Sequence, residues 1–141
     1  MEDADRIIDR LGLARHPEGG WYRQTWAAPG PGRPSGTSIQ FLLKAGERSH
    51  WHRVDAVEIW HFHAGGPLLL DMAETAAGPV QQLRLGPDVL AGDAPQGIVA
   101  AGWWQAARPL AGWVLAGCTV SPGFRFEGFE LAPEGFDIPR G

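Results

Sequence analysis

Short apolar runs separated by glycine- and proline-rich segments follow one another along most of the chain. Such runs, rich in branched and aromatic residues and bounded by turn residues, are typical of β-strands. The predicted strands span residues 38–43, 57–62, 67–72, 80–85, 97–101, 104–108, 113–120 and 124–131. Strands at this spacing favour an all-β fold, either a sandwich or a barrel.

One short helix is predicted near the N-terminus. Ile7, Ile8 and Leu11 fall on one helical face, and Gly12 can take the left-handed conformation that ends a helix. The polar segment PGPGRPSG at 29–36 is rich in residues that break regular structure, so we expect a loop there. Neither a repeat nor a long linker divides the sequence, which predicts a single domain over residues 1–141.

Charge balance and cysteine content limit the classes of function. The chain has 141 residues, with 12 Lys and Arg against 16 Asp and Glu and a net charge of −4. It lacks the basic excess that binds phosphate backbones, so we expect no nucleic-acid partner. We expect no membrane partner either, because no apolar stretch reaches bilayer length and the charged start does not resemble a secretory signal. Cys118 is the only cysteine, which favours a cytoplasmic protein.

A run of histidines between residues 49 and 65 carries the strongest chemical signal. His50 and His52 are separated by one residue, so in an extended strand both side chains point to the same face, as ligands of one metal ion do. Glu58 can supply an anionic oxygen. In a regular strand His61 and His63 lie on the face opposite Glu58, which makes them poorer ligands. The competing interpretation is that these histidines are hydrogen-bonded structural residues of a strand.

The run resembles the first motif of the cupin superfamily. That motif is a His-x-His pair, then a Glu, then a Gly after six residues, and here His50-x-His52, Glu58 and Gly65 follow the same order. The gap between His52 and Glu58 is about one residue longer than the usual pattern, so the direction of the Glu58 side chain stays open.

The second cupin motif has a similar frame in VLAGDAPQGIVAAGWWQAARP. Gly92 and Gly102 match its glycines, whereas Ala100 replaces its last proline and Gln105 stands where the fourth metal ligand, a His, is usual. The resemblance therefore implies a metal site of His50, His52, Glu58 and Gln105. A neutral amide binds divalent metals more weakly than an imidazole, so this site is expected to be open and weak.

Nearly the whole chain is similar to one subgroup of that superfamily, the small cupins grouped as a domain of unknown function. The phrases LGLARHPEGGWYRQTW, EIWHFHAG, GWWQAA and CTVSPGFRFEGFEL occur in the subgroup's order. The resemblance implies a double-stranded β-helix, the cupin jelly roll, with a pocket inside the barrel, often as a dimer. Gln24 and Gln40 depart from the subgroup near the expected barrel mouth, where they are expected to affect substrate preference.

Several other side chains are candidates for ligand binding. Arg23 follows a turn rich in glycine and can clamp a carboxylate or phosphate, or else pair with an acidic residue at the surface. Trp60, Phe62 and two further tryptophans are candidate pocket walls, although aromatic residues more often pack a core. These tryptophans are Trp103 and Trp104. Cys118 lies in an apolar run, which predicts a packed, inert thiol.

The sequence therefore predicts a metal-dependent enzyme that acts on a small polar metabolite as an isomerase, lyase or oxygenase. Its catalytic residues are Glu58 and His52, and its divalent ion is Zn, Ni, Fe or Mn. The alternatives are a metal-free small-molecule-binding protein and a protein similar to a sugar epimerase, which needs a positioned acid. We expect a homodimer, since the strand-like segment 19–26 can cover a sheet edge of its own or of a neighbouring subunit.

Overall fold

Two antiparallel sheets face each other, and one helix packs outside them, in the computed structural model, which describes residues 2–140. Helix α1 spans Asp3–Leu11. The strands are β1 Ala14–Arg15, β2 Trp21–Ala27, β3 Thr37–Leu43, β4 Ser49–Val54, β5 Val57–Gly65, β6 Leu68–Ala73, β7 Gln81–Leu85, β8 Gln96–Val99, β9 Trp104–Pro109, β10 Val114–Ser121 and β11 Phe129–Leu131. The predicted double-stranded β-helix with a short N-terminal helix is confirmed.

The strands alternate between the sheets in a jelly-roll order. One sheet has the order β1-β2-β3-β10-β5-β8, and the other has the order β11-β4-β9-β6-β7. The short turn between β4 and β5 carries the chain from the second sheet to the first, so the two halves of the histidine run lie in different sheets. Side chains from both inner faces fill the barrel.

The closed part of the barrel is the main apolar core. Leu43, Leu68 and Leu70 are essentially inaccessible to solvent there, and Phe41 meets Trp60 edge to face with ring centroids 5.6 Å apart. Burying side chains of this size stabilises the fold by about 1.5–3 kcal/mol each relative to exposure. This core packs the two sheets against each other, and the cavity lies at the other end of the barrel.

Helix α1 covers the outer face of the first sheet. Ala4 and Ile8 pack against Leu42 and Trp21, so the apolar stripe of the helix is buried where the sequence pattern places it. Gly12 ends the helix with φ of +68°, and its N–H donates to Ile8 C=O. Within residues 2–140, no helix has the length and apolar character needed to cross a membrane.

Seven of the eight predicted strands are present, but the strand predicted at 124–131 is wrong over most of its length. A single 3₁₀ turn, Phe126–Gly128, interrupts it, and only β11 follows. Phe124, Phe126 and Phe129 pack against one another with centroids 5.0–6.0 Å apart. The turn lets these aromatic rings meet at the barrel mouth, whereas a regular strand would point them alternately to opposite faces.

Candidate functional site

The turn before β2 carries two ionisable side chains into the barrel. His16 and Glu18 belong to the sequence HPEGG, whose glycines, Gly19 and Gly20, have φ of +110° and +80°. Other residues rarely adopt these values. His16 N–H donates to Gly20 C=O and Gly19 N–H donates to His16 C=O, each at 3.0 Å, and His50 N–H donates to Glu18 C=O at 2.7 Å. The turn is thereby fastened to β4 in one conformation.

Glu18 lies at the centre of a buried polar group. Its side chain is 9% exposed, and one carboxyl oxygen accepts a hydrogen bond from the Ser49 hydroxyl. The other oxygen lies 3.3 Å from His16 Nδ1 and 3.6 Å from His52 Nε2. One carboxyl group therefore contacts two imidazoles.

A β-bulge in β4 determines which residues of the histidine run face inward. Ser49 pairs with Ala107 and His52 pairs with Gln105, so three steps along β4 oppose two steps along β9. Both Ser49 and His52 are consequently buried on the inner face. His52 Nδ1 lies 2.8 Å from the His50 carbonyl oxygen, which can only accept, so Nδ1 carries the proton and Nε2 keeps a lone pair in the neutral ring.

Glu58 enters the same space from the opposite sheet. Gln105 Nε2 donates to Glu58 Oε1 at 2.8 Å, and Trp60 Nε1 donates to Gln105 Oε1 at 2.8 Å. Because an indole N–H can only donate, the amide oxygen of Gln105 must face Trp60, and its NH₂ group must face Glu58. The buried Cys118 thiol also contacts Glu58.

Burial favours the neutral form of the two carboxyl groups, Glu18 and Glu58, and of the two imidazoles, His16 and His52. It raises the pKa of Glu18 to about 8, although the Ser49 hydrogen bond opposes this, and it raises the pKa of Glu58 to about 7. Nearby His52 lowers the Glu58 pKa, and nearby Glu18 raises it. Burial lowers the pKa of His16 to about 4 and also lowers the pKa of His52. Two carboxyl groups that change charge near neutrality thus share one cavity.

The cavity has a volume of about 220 Å³ and is lined by both ionisable and apolar side chains. Its ionisable residues are His16, Glu18, His52 and Glu58. The remaining lining comes from Tyr22, Gln24, Ile39, Val54, Val120, Phe124 and Phe126. This is the composition of a small-molecule site, in which apolar walls bury the ligand and a few polar groups orient it.

The predicted metal-binding residues are not brought together. His52 and Glu58 line the cavity, but His50 does not, because the bulge breaks the alternation that would place it beside His52. Its Nε2 instead lies 3.0 Å from the Pro133 carbonyl oxygen, outside the barrel. Gln105 is fully buried next to Glu58 but presents an NH₂ group, which has no lone pair for a metal ion.

A metal ion therefore does not fit the predicted ligand set. In the described part of the chain, no group of three or more His, Cys, Asp and Glu side chains is arranged to hold a metal ion. His61, the poorer candidate, lies on the outer face, where its Nε2 is 3.1 Å from the Thr119 hydroxyl.

None of the five predicted substrate-binding residues lines the cavity. Arg23 is exposed and donates to the Leu11 carbonyl oxygen at 3.3 Å, next to the end of α1. Gln40 lies on the face of β3 opposite Ile39 and Phe41, which point inward. Trp104 lies on the outer face of the second sheet, where its ring stacks on Phe136.

The other two predicted substrate-binding residues, Trp60 and Phe62, belong to the main core and do not line the cavity. Trp60 reaches the site only through Gln105. Gln24, noted for its departure from the subgroup pattern, does line the cavity.

The sequence interpretation missed His16 and Glu18, which form half of the ionisable group. The available signal was the HPEGG turn, which combines two ionisable residues with a glycine pair. An alanine Cβ at position 19 would collide with the Arg48 carbonyl oxygen, and one at position 20 would lie 2.8 Å from the Leu43 side chain. The two glycines allow the backbone of this turn to pack closely against neighbouring strands. The side chains of His16 and Glu18 are therefore carried into the barrel.

The chain is similar to a known protein family and to solved structures. A family model described as "Cupin superfamily (DUF985)" matches residues 5–132. A crystal structure from Shewanella oneidensis is 42% identical, with a TM-score of 0.87 over 94% of this chain and 85% of that chain. A hypothetical protein from Leishmania major is 29% identical, with a TM-score of 0.86 over 96% and 90% of the two chains.

More distant structures share the fold alone. An oxalate decarboxylase from Bacillus subtilis is 15% identical, with a TM-score of 0.65 over 84% of this chain and 29% of that chain. No curated protein matches the sequence at a significant level.

Proposed function

Since the chain belongs to the DUF985 family of the cupin superfamily, we propose that it is an enzyme that uses acid–base catalysis to move a proton on a small molecule held inside the barrel. The observation that carries this proposal is the pair of buried carboxyl groups, Glu18 and Glu58, at one cavity with His52 beside both. The pair supplies the positioned acid that a metal-free epimerase-like reaction requires.

The two carboxyl groups divide the roles of base and acid. With a pKa of about 7, Glu58 is substantially ionised at neutral pH and is the general base, and the Gln105 NH₂ group stabilises its anion. With a pKa of about 8, Glu18 keeps its proton and is the general acid. The buried site holds one charge more readily than two, which keeps the two groups in opposite protonation states.

His52 completes the path for the proton. Its Nε2 lone pair faces Glu18 Oε1 at 3.6 Å, and its Nδ1 proton is held by the His50 carbonyl oxygen. This separation is longer than a hydrogen bond, so the ring would have to approach Glu18 slightly to accept its proton, but it would not have to rotate. His52 also acts electrostatically on Glu58, so it couples the acid to the base through their charges.

The cavity favours a compact substrate with an apolar side. Ile39, Val54 and Phe124 supply apolar lining that excludes water, and both carboxyl groups line the same cavity. A carbon–hydrogen bond next to a carbonyl group suits this arrangement, because a base removes the proton while an acid protonates the carbonyl oxygen. We therefore place the reaction in the isomerase class.

Exchange of substrate hydrogen with solvent tests the proposal directly. Small aldoses, ketoses and 2-hydroxy carbonyl compounds are incubated with the protein in D₂O, and deuterium uptake is measured by mass spectrometry. We expect uptake into at least one compound, reduced about 100-fold or more by Glu58→Gln and by Glu18→Gln. His61→Ala, which changes a histidine outside the barrel, is the matched control. Uptake that is equal in all variants, or absent from the whole panel, would contradict the proposal.

Metal-dependent catalysis is the competing candidate, because His52 and Glu58 are ligand types that divalent metals favour and both lie in the cavity. Elemental analysis of protein purified without chelators or a metal-affinity tag separates the two candidates. Acid–base catalysis by the carboxyl pair predicts no stoichiometric metal and deuterium uptake that persists in EDTA. A stoichiometric Zn, Ni, Fe or Mn that His52→Ala removes would favour the metal enzyme instead.

Cytoplasmic location stays part of the proposal, supported by the free, buried Cys118 thiol.

A further inference from the structure

A second cavity lies outside the barrel, on the outer face of the second sheet. It has a volume of about 320 Å³ and is bounded by β4, β6, β9 and the segment 133–140. Trp51 Nε1 donates to Asp137 Oδ1 at 2.9 Å, and Phe136 stacks on Trp104 with centroids 5.0 Å apart. These contacts hold the C-terminal segment against the sheet as a fixed wall. We call this cavity the outer groove.

Two buried polar atoms belonging to residues of the outer groove have no hydrogen-bond partner within residues 2–140. They are Asp71 Oδ1 and His50 Nδ1. The Asp71 side chain is only 7% exposed, and its other oxygen, Oδ2, accepts from Arg140 at 3.2 Å. A buried oxygen without a donor is unfavourable, so the groove is incomplete as it stands. A ligand hydroxyl or amine would supply the missing donor once the side chains around Asp71 move apart, because Oδ1 itself has almost no exposed surface.

The charge of the outer groove favours an anion. Three arginines line it, against two carboxylates. Both carboxylates pair with Arg140, and the charge of Arg48 also acts on one of them, Asp137. The other two, Arg48 and Arg108, are exposed and make no side-chain hydrogen bond or ion pair with the described residues. Guanidinium groups bind carboxylate and phosphate oxygens in a fixed two-pronged geometry. Two such groups are available beside the unsatisfied Asp71.

We propose that the outer groove is a second binding site, for a small molecule that joins an anionic group, phosphate or carboxylate, to a hydroxyl or amine. The anion binds Arg48 and Arg108, and the hydroxyl or amine donates to Asp71 Oδ1. The same residues explain why neither part suffices alone: a bare anion leaves Asp71 without a donor, and a neutral alcohol leaves the arginines unpaired.

The outer groove is separate from the proposed reaction site. His50 and His52 belong to one strand, but the bulge directs their side chains to opposite sides of the sheet. The proposal therefore does not depend on acid–base chemistry inside the barrel. Ser49 borders the outer groove and donates to Glu18, so the substitution expected to leave binding in the outer groove unchanged is one at Glu58.

Calorimetric titration of the full chain at fixed ionic strength tests the site. The probes are glycerol 3-phosphate, glycerate, inorganic phosphate and glycerol. We expect glycerol 3-phosphate or glycerate to bind at least about tenfold more tightly than inorganic phosphate, and glycerol not to bind. If glycerol 3-phosphate binds more tightly than glycerate, the natural ligand carries a phosphate. If glycerate binds more tightly, the ligand carries a carboxylate.

Matched variants assign the binding to the outer groove. Arg108→Ala should weaken it about tenfold, whereas Arg10→Ala, at an exposed arginine on α1, should not change it. Asp71→Ala should abolish the preference for glycerol 3-phosphate over inorganic phosphate, with circular dichroism to check that the variant folds. If Asp71→Ala fails to fold, Arg48→Ala gives a second exposed test and should also weaken binding. Equal affinity in Arg108→Ala and Arg10→Ala, or no binding of any probe at millimolar concentration, would overturn the proposal.

Discussion

Hydrogen-bond chemistry at single residues decides which atoms the barrel offers to a ligand. Gln105 occupies the position expected for a metal ligand, but Trp60 requires its oxygen and Glu58 receives its NH₂ group. No local sequence pattern reveals this orientation, because it is fixed by an indole 45 residues away. His52 was predicted to face the pocket and the direction of Glu58 was left open, whereas the roles of Gln105 and His50 depend on contacts that only the folded chain makes.

The raised carboxyl pKa values predict a loss of stability above neutral pH. Glu18 and Glu58 keep protons in the folded state up to about pH 8 and about pH 7, but lose them near pH 4.5 when unfolded. The folded state therefore binds more protons, and the free energy of unfolding falls as pH rises through this range. The lowered histidine pKa values act with the opposite sign, but mostly below pH 6.5, so they offset only a smaller part of this fall. We expect a fall of about 2 kcal/mol between pH 6.5 and pH 8.

Urea denaturation at the two pH values measures this fall. Glu18→Gln and Glu58→Gln should each reduce it, since an amide does not titrate. Glu127→Gln, at an exposed carboxylate, should leave it unchanged. A fall of the same size in all three variants would show that the buried pair is not its source.

At the scale of elements, a turn and a bulge place the site on a scaffold that the sequence pattern predicts well. Alternation predicts most of the strands because each has one face in the core, and the apolar stripe predicts α1 for the same reason. The HPEGG turn has no such periodicity, and neither has the bulge between Ser49 and His52. Their geometry depends on close contacts between distant segments, as at Gly19 and Arg48. The scaffold was therefore predictable and half of the ionisable group was not.

The turn that carries Glu18 should tolerate no side chain at Gly19. Gly19→Ala combines a φ of +110° with a collision against β4, so we expect a loss of about 2 kcal/mol or more. Gly46→Ala is the matched control, because its φ is +82° but no atom lies within 4 Å of the added Cβ. It should cost about 1 kcal/mol. Chemical denaturation of both variants measures the difference, and equal losses would mean that the turn is not packed against β4.

At the scale of the whole molecule, one sheet edge supports the proposed homodimer. Strand β2 covers the edge of β3 in its own subunit, but β1 pairs only with Trp21 and Tyr22, which leaves the edge at residues 23–27 without a partner in the described chain. Trp26 is 55% exposed beside it. Exposed edges and large apolar side chains are features that association covers.

Light scattering at micromolar protein should show a dimer, and Trp26→Glu should convert it to a monomer by placing a charge in the contact. Leu90→Glu is the control, because Leu90 is fully exposed on a different sheet edge region and should leave the dimer intact. A wild-type monomer, or a Trp26→Glu dimer, would contradict this mode of assembly.

The hydrogen-bonded chain from Trp60 through Gln105 to Glu58 also gives the molecule an internal spectroscopic reporter. Of the seven tryptophans, Trp60 is 1% exposed, and its indole N–H ends in the amide that contacts Glu58. In a nitrogen-15 spectrum its indole resonance should exchange slowly with solvent and shift as Glu58 titrates, because a negative charge polarises the hydrogen bonds leading to it. In nitrogen-15-labelled protein, chemical-shift changes at this one proton can thus follow ionisation and ligand entry in the barrel without an attached probe.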